Sequence, residues 1–302
     1  MRCTMRENDL LSFIYQNTPA DPRVPLHVGD DMAAVQLPSA LALLKIDQVL
    51  DGVHFDLAVH GVELVGRKAV NRCLSDCAAM ACVPAAIMVS VALPPGFSIE
   101  QSKSLFIAIR DAAAVFNCPL VGGDTGAWPG KLVIVVAAVG TAAQPYITRS
   151  GAQAGNIVCV TGALGGSILG RHLTFTPRIR EAQELVRLAR ITAMMDLSDG
   201  LSQDLPRLCQ RSGVGAVIDQ AALPIHADAQ KLAAQTKQDA WRHALADGED
   251  YELLLTVSPQ DLPSIAHLVT PIGRITTEPN LLLRQPDGQT MPLPAGGYEH
   301  RT

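Results

Sequence analysis

Residues 61–93, GVELVGRKAVNRCLSDCAAMACVPAAIMVSVAL, contain both periodicities that decide the fold. Val62, Val65, Ala69, Cys73, Leu74, Cys77 and Met80 recur at near-helical spacing, which predicts a helix over 61–82 ending before Pro84. The run from Ala85 to Leu93 is short and continuously apolar, the pattern of a strand. Pro94, Pro95 and Gly96 then turn the chain, and Ser98-x-x-Gln101 has the form of a capping box opening a helix to about Asn117. A short strand into Val121-Gly-Gly-Asp124 and a β-rich run from Leu132 to Val139 follow. Both apolar runs lack a wet face, so they are expected in a sheet covered by helices or by another subunit. The stretch from Cys77 to Ile99 carries no charge, but its prolines cut it too short to span a membrane, and none is expected.

Outward from this block, the chain turns polar and glycine-rich at Thr148-Arg149-Ser150-Gly151, where a domain boundary is expected, giving domains 1–148 and 149–302. Strands are predicted over Asn156–Thr161, Met194–Leu197, Ala216–Asp219 and Tyr251–Val257, a helix over Leu201–Arg211, and a turn-rich tail over 285–302. The 302 residues are 48% hydrophobic and only 18% charged, which excludes disorder and allows large cores. A net charge of -5 argues against a nucleic-acid partner. Arg6, Glu7 and Asp9 stand where a signal peptide would place its apolar core, so the cytoplasm is expected. Seven cysteines include no C-x-x-C pair, and Cys73, Cys77 and Cys82 read as small core residues rather than zinc ligands.

In a chain this poor in charge, acids gather with glycine at predicted strand ends: Gly29-Asp30-Asp31, Asp47 with Asp51-Gly52, Gly123-Asp124, Asp196 with Asp199-Gly200, and Gly248-Glu249-Asp250. Carboxylates collected at the strand ends of an α/β fold repel one another unless a cation joins them, and hard oxygen donors point to magnesium or calcium. Singly, Asp30, Asp31 and Asp51 read equally as turn residues, Ser198 or Asp199 as a cap of the helix from Leu201, and Glu249-Asp250 as a solvated turn. Asp76 lies mid-helix among small and apolar residues and caps nothing. No Walker loop, G-x-G-x-x-G, kinase catalytic loop, G-x-S-x-G or H-E-x-x-H occurs.

The ordered set Gly29-Asp-Asp-Met-Ala-Ala-Val35, Asp51-Gly-Val-His-Phe55, Leu74-Ser-Asp-Cys-Ala-Ala-Met80, Gly122-Gly-Asp-Thr125, Asp196-Leu-Ser-Asp-Gly200 and Gly248-Glu-Asp-Tyr-Glu-Leu253 resembles the thiamine-monophosphate kinase family, within the aminoimidazole ribonucleotide synthetase-like superfamily. The resemblance implies a two-domain α/β (α+β) fold: an N-terminal ATP- and magnesium-binding domain whose strands form a β-barrel across a homodimer, and a C-terminal α/β domain. It implies ATP-dependent phosphorylation of thiamine monophosphate by direct transfer, with no protein nucleophile. Carried over by motif, Asp30, Asp47, Asp76, Asp124, Asp196 and Asp199 would hold several Mg2+ ions. Gly123, Asp124, Arg149 and Ser198 would contact ATP, and His54, Glu249 and Tyr298 the acceptor. A non-catalytic nucleotide-binding homologue, or a kinase for another acceptor, is the alternative. Lys45-Ile46 stands where the family usually carries a hydroxyl pair, and a Lys45 ammonium would either repel a metal or replace one in neutralising phosphate.

Overall fold

The computed structural model describes residues 13–24, 35–38, 41–142 and 146–298. Its contacts divide the chain into two compact units, one of residues 1–77 and 83–142, the other of residues 78–82 and 143–302.

The first unit is built on an open four-stranded sheet. Its strands are β1 (Leu43–Leu50), β2 (Val83–Leu93), β3 (Leu120–Ala127) and β4 (Val133–Thr141), in the order β1-β4-β2-β3. Only the β2–β3 pair is parallel. Helix α1 (Leu57–Ala79) starts earlier than the periodicity predicts, because Gly61, at φ 72°, breaks the helical backbone and separates a leading turn from the amphipathic run beginning at Val62. Gly66 lets α1 approach helix α2 (Ile99–Ala114) closely: a Cβ there would meet the Ala108 side chain at 3.0 Å. The expected capping box opens α2, with the Gln101 N–H donating to Ser98 Oγ and the Ser98 N–H to Gln101 Oε1.

The two apolar runs do not lie in a sheet covered on both faces within this chain. β4 alternates between buried and half-buried residues, and the open face carries Leu44 at 79%, Ile46 at 67% and Met88 at 52% exposure. Ile46 and Met88 both stand opposite Ala137, so they form one row across three strands. Apolar content alone could not separate a doubly covered strand from one whose second face waits for something outside the chain.

The second unit holds a seven-stranded sheet of β5 (Ile157–Val160), β6 (Ile191–Asp196), β7 (Gly215–Asp219), β8 (Leu253–Val257), β9 (Thr270–Thr276), β10 (Leu281–Arg284) and β11 (Thr290–Pro292). The order is β11-β10-β7-β9-β5-β8-β6, parallel only between β10 and β7. Every residue of β5 and β8 is buried. Helix α3 (Leu201–Ser212) lays Leu201, Leu205 and Leu208 into a core with Val158, Val160, Met195, Ile218 and Leu254, and ends at Gly213 in the left-handed region. The segment from residue 285 is not the turn-rich tail its composition predicts. Thr290–Pro292 pairs with β10, and the chain then runs back until the Tyr298 N–H donates to the Asp199 carbonyl. The described cysteines are buried thiols in no disulfide, and no described helix is long and apolar enough to cross a membrane.

Candidate functional site

In the first unit, strand pleating sorts the candidate residues. Lys45, Asp47 and Val49 face α1, while Leu44 and Ile46 face away. Lys45 Nζ lies 2.8 Å from Asp76 Oδ2, and Arg72, one turn before Asp76, places Nε 3.0 Å from Asp47 Oδ2. Cys73 sits against the same carboxylates and donates Sγ–H to the Val136 carbonyl at 3.5 Å. Burial, then Asp47 and Asp76, push its thiol well above the ordinary cysteine range, so it stays neutral. Asp124 stands exposed on the edge strand β3 and meets no cation among the described residues. Gly123 has a structural reason to be glycine: a Cβ there would come 2.0 Å from the Val89 carbonyl on β2, so the close approach it permits is to a neighbouring strand.

His54 is buried in the turn that joins β1 to α1. Its Nδ1 accepts the Leu50 N–H at 3.1 Å, and its carbonyl accepts from Nζ of the fully buried Lys68 at 2.6 Å. In the same turn Asp51 Oδ1 accepts the Leu57 N–H, the turn-residue reading of that acid. Asp30 lies outside the described residues.

In the second unit, three sequence-distant motifs meet. Beyond the paired ends of β6 and β8, the Leu197 N–H donates to the Glu252 carbonyl, the Tyr251 N–H to that of Leu197 and the Glu249 N–H to that of Ser198. With the Tyr298 bond, these join the Asp196–Asp199, Glu249–Glu252 and Gly297-Tyr298 segments. Gly297 permits this, since a Cβ there would meet the Asp199 carbonyl at 2.5 Å. Neither Ser198 nor Asp199 caps α3, whose cap position is Gly200, with no side-chain bond. Instead the Asp204 carboxylate reaches back to the Asp199 N–H at 3.0 Å, and Arg207 Nη1 bridges Asp204 at 2.8 Å and Asp199 at 2.5 Å. Burial, then the neighbouring Asp199, raise Asp204 to about 6. Arg149 is exposed, and its carbonyl accepts the Ser212 hydroxyl at 3.1 Å.

The Gly248-to-Tyr251 segment is not a solvated turn. Gly248, Glu249 and Tyr251 all have positive φ, a strain for the two side-chain-bearing residues that survives only where the surroundings impose it. Asp250 supplies much of that constraint. Its buried Oδ1 accepts from the Gly165 N–H at 2.9 Å and from Arg171 Nη2 at 2.8 Å, and burial raises it to about 7 against the pull of Arg171. Glu252 accepts two bonds from Arg178 and one from the Thr161 hydroxyl. Glu249 is caught between the Tyr251 hydroxyl at 3.1 Å and His172 Nδ1 at 3.3 Å, and Tyr251 stacks on Phe175 at 4.0 Å.

Arg171, Arg178, His172, Asp204 and Glu252 were not picked out by sequence reasoning, and Asp250 stood out only as one of the glycine-flanked strand-end acids. The one signal available was the charge of Asp250 and Glu252 in a strand-entry segment that is otherwise buried. For a hard divalent cation the donor chemistry is right, since the candidates are carboxylates. Yet among the described ones Asp47, Asp76 and Asp199 already carry Arg72, Lys45 and Arg207, and no group of three ligand-type side chains gathers among the described residues. Asp124, which meets no cation among the described residues, and the buried Asp196 are further carboxylates of the same donor type.

Residues 29–142 match the model for the AIR synthase related protein, N-terminal domain, and residues 129–281 that for the C-terminal domain. A thiamine-monophosphate kinase of Rhodopirellula baltica is 34% identical over 291 residues, covering 92% of each chain. The chain belongs to the thiamine-monophosphate kinase family. Another member, from Bacillus subtilis, is 31% identical over 98% of this chain and 99% of its own. The solved structure of AaThiL complexed with AMPPCP and TMP superposes with a TM-score of 0.78 at 29% identity, covering 99% of this chain and 100% of that one. The two-domain mixed α and β fold is therefore the family's, while the sheet of the first unit is open, with β1 and β3 at its edges.

Proposed function

We propose that the chain transfers the γ-phosphoryl group of ATP to thiamine monophosphate, giving thiamine diphosphate and ADP. The observation that carries this reading is the convergence of Asp199, Glu249 and Tyr298 through backbone hydrogen bonds, in a chain that matches thiamine-monophosphate kinases nearly end to end. Bound divalent metal, taken to be several Mg2+ ions, supplies charge neutralisation around the transferred phosphoryl group. The protein's part is positioning, since such a transfer asks for no nucleophile.

In this reading residues 1–148 are the ATP- and metal-binding part and residues 149–302 the C-terminal α/β part. Asp124 in the first unit, and Asp196 and Asp199 in the second, would hold metal, Asp199 being the one that Arg207 pairs with here. The exposed Arg149 guanidinium grips phosphate with a planar fork, and Ser198 and the Gly123 backbone line the nucleotide. Glu249, held by Tyr251 and placed beside His172, offers the cationic acceptor a fixed carboxylate, and the half-exposed Tyr298 offers it an aromatic face. His54, the third acceptor-site position that the motifs imply, is buried and shapes the turn between β1 and α1. The exposed row of Leu44, Ile46 and Met88 supports a homodimer in which two such sheets cover one another.

Incubating the purified protein with ATP, thiamine monophosphate and magnesium, and resolving products by chromatography, tests the reading. Stoichiometric thiamine diphosphate and ADP are expected; absence of thiamine diphosphate across a magnesium series overturns it.

A further inference from the structure

Asp76 asks for a positive charge. It sits in the last turn of α1, not mid-helix as the periodicity predicts, three-quarters covered and with its carboxylate turned toward β1; a negative charge at a helix C-terminus, largely out of water, is costly unless it is paired. Two cations are in reach of this corner, and the pleat of β1 with the turn of α1 assigns them one each. Lys45 and Asp47 are two residues apart on one face of the strand, and Arg72 and Asp76 are one turn apart on the helix, so the pairs Lys45–Asp76 and Arg72–Asp47 form with charges alternating in space. The quartet is neutral. Ile46 points to the opposite face, so it brings nothing to this side in place of an oxygen donor.

We propose that the Lys45 ammonium is the resident counter-ion of Asp76, standing where a divalent cation would otherwise be held. The inference rests on reading the acidic corners of this chain as cation sites. Magnesium demands near-ideal octahedral oxygen geometry and gains little from a carboxylate that already has an ammonium 2.8 Å away, whose charge repels it. Lysine suits the task because its ammonium is a compact, strongly hydrated point charge on a flexible stem, able to face a carboxylate on one side and a phosphate oxygen on another. Of the metal positions that the motifs imply in the described first unit, Asp47, Asp76 and Asp124, the last is then the one that meets no cation there.

The test counts metal. Mn2+ binding to the full chain is titrated by electron paramagnetic resonance, with and without a non-hydrolysable ATP analogue. Lys45→Thr is expected to bind one more Mn2+ per chain than the unsubstituted protein under the same conditions, and Lys45→Arg the same number. Should Lys45→Thr not fold, Lys45→Met, which keeps the stem and removes the charge, gives the same reading. An unchanged count in the neutral variants overturns the proposal, as does an anomalous Mn2+ peak within ligand distance of Asp76 in crystals of the unsubstituted protein. The count needs no turnover: a protein that makes no thiamine diphosphate but gains an ion on losing Lys45 refutes the kinase reading and leaves the pairing intact.

Discussion

Asp76 and Asp250 are both acids in ion pairs, yet they are held in opposite ways. Asp76, a quarter exposed, meets Lys45, whose side chain is flexible and itself a third exposed. Asp250, at 1% exposure, is gripped by a guanidinium and a backbone N–H inside a segment of strained φ. A half-wet pair is cheap to break, so removing the Lys45 ammonium leaves a carboxylate that another cation can reach without loss of the fold. A buried, multiply bonded acid is part of the architecture, and its loss is felt by the backbone it holds. The same residue type therefore stands in a half-exposed pair at Asp76 and in a buried, multiply bonded one at Asp250.

That contrast is open to attack at several points, beginning with the largest effect. Glu252→Ala leaves Arg178 without its bidentate partner, and should cost about 3–5 kcal/mol of stability in urea unfolding; a near-neutral result would place the second unit's acids with the first's. Asp124→Asn should instead leave the melting temperature in place and lower kcat by about 10²–10³-fold, the scale of removing one preorganised charge contact. If Asp124→Asn unfolds the protein, the exposed acid is scaffolding after all. Gly123→Ala forces a methyl group against the Val89 carbonyl and should destabilise by about 1–3 kcal/mol, read as a lower denaturant midpoint.

The pH dependence sharpens the comparison further. Asp250 is raised to about 7 in the fold, above its unfolded value, so the stability it contributes is fully present below pH 4 and is lost as pH rises through about 7. Melting temperature should accordingly fall less between pH 4 and 7 in Asp250→Asn than in the unsubstituted protein; parallel curves would contradict the assignment. The smallest effect belongs to a surface device: Ser98→Ala removes the capping bond of α2 and should cost about 1 kcal/mol in thermal unfolding.

Much of the fold was legible in the residues. Helix α2, its capping box and the strands β2, β4, β5 and β6 follow from periodicity and from proline and glycine punctuation, because those signals are local. The helical break at Gly61 and the strand at Thr290–Pro292 were not. The first depends on a φ that glycine permits but does not demand, and the second on a partner strand, β10, that only the folded chain supplies. At the site, glycine-flanked acids marked Asp124, Asp199 and Glu249. Arg171 and Arg178 gave no sign, since an arginine in a polar segment looks the same whether it faces water or a buried carboxylate.

By itself the sequence determined the two α/β series, the order of acidic motifs and the family they belong to, since each is written in local spacing and residue type. Only the tertiary structure decided which cation each acid meets. Lys45 faces Asp76 because strand pleating turns it toward α1, Arg72 takes Asp47 because a helical turn brings it there, and Asp250 is buried where the Glu249 and Tyr251 N–H groups donate to the Ser198 and Leu197 carbonyls and hold its segment inward. Charge pairing is a matter of a few ångströms between residues far apart in the chain, and that distance exists only after the chain has folded.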